Sequence, residues 1–136
     1  MMHFRLARPV TDLRRTEMLY CEGLGLTRLG HFDNHDGFDG VMLGEPGGGY
    51  HLEFTYCRTH PVAPSPTEED LLVFFLPDRQ DWLNRCEALL AAGFTPVASL
   101  NPYWERDGRT FADHDGYRIV LQAAAWDGGA AVKHPR

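Results

Sequence analysis

Lysine is all but missing from this chain, with Lys133 the sole example. The cations are therefore arginines, whose planar forks suit buried pairing better than an ammonium does. There are 13 basic residues against 19 acidic ones, a formal charge of −6. A surface of that sign repels phosphate backbones and argues against nucleic acid as the main partner. Cysteine is scarce: Cys21, Cys57 and Cys86 make an odd count without C-x-x-C spacing. A disulfide framework is thereby excluded, and reduced cytoplasmic thiols filling small core spaces are expected. Long apolar runs are missing too. The longest is Leu71 to Leu76, so no membrane span is expected. The opening residues lack a basic stretch followed by an apolar one, so neither is a secretion signal. No G-x-S-x-G string is present, and no cysteine pairs evidently with a histidine, so no nucleophile motif stands out. The glycine-rich Pro46-Gly47-Gly48-Gly49 precedes a strand, whereas a phosphate cradle needs a helix N-terminus.

What is present is ordinary globular usage. A chain of 136 residues, 43% of them hydrophobic, can bury a core of its own without a metal or disulfide staple.

The pattern repeats. Residues 3–10 read as a strand, and Thr11 or Asp12 caps a helix that Gly25 stops. Leu13, Thr16, Tyr20 and Leu24 share one face of that helix. Strands follow at 26–33, 38–44 and 50–57, separated by Asn34-His35-Asp36-Gly37 and by the glycine-rich turn. The second half restarts at the strand Leu71 to Leu76. Asp78 caps a helix with Trp82, Leu83, Cys86, Leu89 and Leu90 on its buried side, Gly93 ends it, and strands near 94–100, 107–113 and 117–123 complete the set. Asp12 maps onto Asp78 at an offset of 66 and Cys21-Glu22 onto Cys86-Glu87 at 65, which supports the repeat, and the offset of 67 from Glu53 to Val120 is taken to agree with it. Three prolines in 60–66 favour an extended linker. Glu68-Glu69-Asp70 reads as a solvated face, and the turn residues His35 and His114 as exposed. The fold class is α+β: two tandem βαβββ modules in mixed, largely antiparallel sheets. We place the first module at about 1–57, a linker at 58–68, the second module at about 69–126 and a loose tail at 127–136.

Four strings carry a family likeness: Arg8-Pro9-Val10-Thr11-Asp12-Leu13, the run from Leu19 to Leu26, His51-Leu52-Glu53-Phe54-Thr55, and Asp113-His114-Asp115-Gly116-Tyr117-Arg118. In these the chain resembles the vicinal oxygen chelate superfamily, which includes glyoxalase I, the bleomycin-resistance proteins and the extradiol dioxygenases. The resemblance implies curved sheets around a cleft and a homodimer. It also implies four metal-ligand positions, which counting along the modules places at Arg5, Glu53, Leu72 and Val120. Only Glu53 offers a donor, since arginine stays protonated and leucine and valine have no lone pair. No metal and no other cofactor is therefore expected.

Strand alternation puts His3, Arg5 and Ala7, His51, Glu53 and Thr55, and Arg118, Val120 and Gln122 on the cleft side. Arg5 and Glu53 should be neighbours, either as an ion pair filling the old metal space or as a fixed charge for an anionic ligand. His51 and Glu53 are the catalytic candidates, as general bases. Phe74, alternating with Leu72, is expected to line the cleft. Asn101, Tyr103 and Trp104 offer a stacking lid over its mouth. The expected function is binding of a small anionic or aromatic molecule, as in the bleomycin-resistance branch. The alternative is a glyoxalase-like lyase or dioxygenase using a non-standard metal site or a metal-free acid/base.

Overall fold

The computed structural model describes residues 2–126; the tail expected at 127–136 lies outside them. Two four-stranded sheets repeat one topology, β1-β4-β3-β2 and β5-β8-β7-β6. In the first, β1 (Phe4–Pro9) runs parallel to β4 (Tyr50–Cys57), and β3 (Phe38–Gly44) and β2 (Thr27–His35) follow antiparallel. In the second, β5 (Leu71–Phe75) is parallel to β8 (Arg118–Gln122), with β7 (Gly108–Ala112) and β6 (Thr95–Val97) antiparallel beyond it. This is the tandem βαβββ architecture that the repeat predicts.

The helices form where the caps stand. Asp12 accepts from the Arg15 backbone N–H at 3.0 Å and starts α1 (Leu13–Met18). The sequence predicts an unbroken helix to about Leu24. Instead the ladder slips into a π-helical turn over Leu19–Gly23. Leu19 and Tyr20, three and four positions beyond the buried Thr16, both point into the core from this turn, 1% and 0% exposed. Gly25, at φ 81°, ends the segment in the left-handed region as expected. Asp78 caps α2 (Arg79–Ala92) through the Asp81 N–H. Trp82, Cys86 and Leu89 are its buried face, but Leu90, expected there, is 43% exposed.

The core lies between the helices and the helix-facing sides of both sheets. Tyr20 packs its ring at a tilt against Phe54 and meets Phe94 edge to face, with ring centroids 4.8 and 5.4 Å apart. Gly23 lets the helices approach: a Cβ there would stand 3.1 Å from the Ala92 Cβ and 3.2 Å from Leu89 Cδ2. The Trp82 indole donates to the Leu121 carbonyl at 2.9 Å, fastening α2 to β8.

A polar seam joins the end of the second module to the start of the first. Thr11 donates to Asp115 through its backbone N–H and its hydroxyl. Tyr117 donates its hydroxyl to the Pro9 carbonyl at 2.9 Å, and the Arg8 guanidinium lies 4.2 Å above the Tyr117 ring. Asp113 accepts from the Tyr20 hydroxyl and from the Asp115 and Tyr117 amides. His114 is drawn in with them. The sequence suggested an exposed turn residue, yet its side chain is 7% exposed. The turn is covered because it docks on the β1–α1 corner. His35, in the β2–β3 turn of the first module, stands 78% exposed.

No helix among the described residues is long and apolar enough to cross a membrane.

Candidate functional site

One face of the first sheet carries the polar side chains that the sequence singles out. Parallel pairing sets Arg5 beside His51 and Ala7 beside Glu53, and antiparallel pairing sets Met42 beside Glu53 and Gly40 beside Thr55. Paired residues share a face, so all of these project from the side away from the core. Phe32, opposite Gly40, lies across it: a Cβ on residue 40 would come within 2.2 Å of the Phe32 ring. A mid-strand glycine is the sequence signal for such an approach, and sequence reasoning missed it.

The Arg5 guanidinium donates through Nη1 to Glu53 Oε2 at 3.2 Å and through Nε to His51 Nε2 at 2.7 Å. The expected neighbour pair is present, and His51 joins it as a third member. These donors assign the proton positions. Arginine always carries its Nε proton, so His51 Nε2 accepts, and the imidazole proton sits on Nδ1 facing His3 Nε2. His51 is thereby held neutral. Burial lowers its pKa below the ordinary value, and the Arg5 charge and then His3 lower it further. With both ring nitrogens engaged, His51 has no lone pair free to act as a base in this arrangement. Glu53 is 14% exposed and Arg5 is 49% exposed. Among the described residues Arg5 Nη2 makes no hydrogen bond, so the fork keeps an open edge. Phe4, which alternates with Arg5 and so lies on the helix side of β1, sits past the end of the core and is 62% exposed.

The second sheet differs. Val120, Thr110 and Gln122 lie on its corresponding face, yet they are buried at 0%, 2% and 5% exposure. A single helical turn, α3 (Tyr103–Arg106), which the sequence did not predict, packs against β7. Asn101 starts it by accepting from the Tyr103 N–H at 3.0 Å and, through its carbonyl, from the Trp104 N–H at 3.1 Å. Tyr103 and Trp104 meet edge to face, centroids 5.0 Å apart. The expected lid string therefore lies over the second sheet. Arg118 is on that sheet too, donating to the Ala98 carbonyl at 3.3 Å. The structure does not bring these residues beside Arg5 and Glu53 within one chain.

Two placements need correction. Leu72 pairs with Ile119 and Phe74 with Leu121, so both face the helices and pack against the core. The cleft-side residues of β5 are Leu71, Val73 and Phe75. The count failed by one because β8 matches β4 at 67 positions while β5 matches β1 at 66. Phe74 consequently lines no part of the sheet cleft; its ring lies 6.2 Å from that of Tyr50, on the other side of the strands. Among the described residues no group of three or more His, Cys, Asp or Glu side chains is arranged to hold a metal ion. The thiols of Cys21 and Cys86 are pushed up by burial, away from the thiolate form a nucleophile needs.

Comparison with known proteins extends these observations. Models of the YycE-like N-terminal domain and the YycE-like C-terminal domain match residues 4–55 and 69–123. The Bacillus subtilis (strain 168) protein YycE is 44% identical over 117 residues, spanning 86% of this chain and 84% of that protein. A crystal structure of a Bacillus subtilis YycE protein, 41% identical, aligns with a TM-score of 0.87 over 93% of each chain. The fold alone is shared with the trypanothione-dependent glyoxalase I of Leishmania major, TM-score 0.67 at 21% identity over 88% of this chain and 84% of that one. It is shared likewise with the fosfomycin resistance protein FosX of Mesorhizobium loti, TM-score 0.68 at 12% identity over 92% and 91%. With both modules matched in order, the chain belongs to the YycE-like family, on the fold of the vicinal oxygen chelate superfamily.

Proposed function

We propose that this protein binds a small anionic or aromatic molecule on the open face of the first sheet, with Arg5 as the anchoring charge, and that it does so without the superfamily's divalent-metal site. The observation that carries this reading is the Arg5 fork itself. Glu53 and His51 hold it in one orientation while about half of the side chain stays open to solvent. A guanidinium fixed in advance loses little freedom when a carboxylate or phosphate docks on it. Phe32 and Met42 supply apolar and aromatic contact beside it.

The residues at the superfamily's ligand positions do not fit a divalent cation. Arg5 brings a positive charge, Val120 and the cleft-side Leu71 and Val73 bring no donor, and Glu53 is already engaged. A binding role is favoured over acid/base catalysis because both nitrogens of His51 are occupied. The glyoxalase-like alternative keeps Glu53 as its base, with the oxygen not facing Arg5 available to accept a proton.

A second copy of the chain completes the cleft in this reading. Among the described residues the two sheets pack through their helices, and no sheet of the same chain lies opposite the Arg5 face. Reduced thiols and an acidic surface suit a cytoplasmic setting.

The test is a thermal-shift and calorimetric screen of small anions and aromatic compounds against the wild type and Arg5→Gln. The expected result is a compound that stabilises the wild type and fails on the variant, with no dependence on added chelator. Stoichiometric transition metal in chelator-free protein, lost in Glu53→Gln, overturns the reading.

A further inference from the structure

Tyr50 and His51 are consecutive on a strand, so they point to opposite faces. On the Tyr50 side, away from the Arg5 site, the junction of the two modules forms a half-open pocket of about 330 Å³. That volume falls at the lower end of the ~300–1,000 Å³ typical of small-molecule sites. Leu24, Leu26, Phe74, Leu76 and Leu121 supply its apolar side, Tyr50 stands on one wall, and Glu45 and Arg85 are the charged members of the lining.

Arg85 is the unusual member. It reaches from α2 to lie face-on against Gly25: a Cβ there would stand 2.8 Å from Nη2 and 2.9 Å from Cζ and Nη1. Gly25 is thus required twice, by its positive φ and by this stacking. Arg85 Nη1 donates to the Gly23 carbonyl at 3.1 Å. Among the described residues no carboxylate pairs with Arg85, and its Nε and Nη2 make no hydrogen bond. A positive charge is therefore held at the pocket without a paired carboxylate, although Glu45 lines the same pocket. In proteins a partly buried guanidinium ordinarily finds a counter-charge.

We propose that this cavity is a second binding site, for a small organic monocarboxylate with a compact aromatic or branched apolar body. The carboxylate meets the free N–H groups of Arg85, and the body lies against Phe74, Leu26 and Leu121. Tyr50, whose hydroxyl is kept protonated by burial and by Glu45, offers a further donor. Glu45 sets the specificity. A second carboxylate on the ligand would approach the Glu45 charge, so dicarboxylates are disfavoured.

The experiment is a titration of the ¹⁵N-labelled full chain with benzoate, phenylacetate and isovalerate, following the amides of Gly25 and Tyr50, with calorimetry alongside. Benzamide and phthalate serve as the neutral and dianionic controls. Saturable shifts at both amides with a monocarboxylate are expected. Affinity should fall about tenfold or more for benzamide and for Arg85→Gln, as expected for loss of a charge-assisted pair. Because Arg85→Gln also loosens its hold on Gly23, Leu76→Trp provides a second variant that fills the cavity and leaves Arg85 in place; it too should abolish the shifts. Arg5→Gln should leave them unchanged, which separates this site from the sheet-face site. Absence of saturable shifts, equal binding of benzamide, or full binding by Leu76→Trp overturns the proposal.

Discussion

The hydroxyl of Tyr20, on the π-helical turn of the first module, donates to Asp113 Oδ2 of the second at 2.8 Å in the middle of the core. Neither residue sees solvent freely, so neither can replace the other with water. Burial raises the Asp113 pKa above its ordinary value, and the Tyr20 hydroxyl is the first of three donors opposing that rise. Tyr20→Phe is expected to cost about 1–3 kcal/mol, the penalty for leaving a buried acceptor short of a partner.

This variant also has a pH signature. A carboxyl group whose folded pKa is raised contributes stability that is fully present below its unfolded value, near 3.8, and is lost as pH rises through the folded value. Deleting a donor raises the folded value further. The loss in Tyr20→Phe should therefore be larger at pH 7 than at pH 4 in urea melts compared with the wild type, and an equal loss at the two pH values would refute the assignment.

His51 shifts the other way. Its folded pKa lies below the ordinary 6.5 because of burial, Arg5 and His3, in that order. The associated stability is present above pH 6.5 and declines as pH falls through the folded value. Arg5→Met should move the His51 titration midpoint upward in an NMR titration. In the wild type the nitrogen shifts should report the proton on Nδ1; a proton on Nε2 would contradict the assigned tautomer.

Gly23 is a packing requirement. Gly23→Val places branched carbons where Ala92, Leu89 and Phe94 already stand within about 3 Å of a Cβ. Overpacking of this kind costs about 1–3 kcal/mol. Chemical denaturation should show a lower midpoint, and pairing it with Ala92→Gly should restore part of the loss.

Asp78→Ala removes the acceptor for the Asp81 N–H. The expected cost is about 0.5–2 kcal/mol, and Asp78→Asn should retain most of the stability in the same melts.

The strands of the first module were legible because polar and apolar residues alternate along them and glycine turns punctuate them. That is why Arg5 and Glu53 could be placed side by side. Leu71 to Leu76 offers no polar residue to fix its phase, so Leu72 and Phe74 were assigned to the wrong face by one position. The π-helical turn leaves no mark in a periodicity that is scored at 3.6 residues. His114 was misjudged because a turn composed of Asp, His and Gly reads as solvent-facing wherever it docks; only the tertiary partners Thr11 and Tyr20 reveal its burial. Arg85 was invisible for a similar reason, since its surroundings come from Gly25, Tyr50 and Phe74, distant in the chain.

Thr11 and Asp115 stand 104 positions apart in the chain. During synthesis, then, the corner that opens the first module is without the carboxylate that satisfies it until the second module has also been made. The first module can collapse early, but its leading edge is sealed only when the last strand pair of the second module forms, which makes folding of that module the event that locks both halves together.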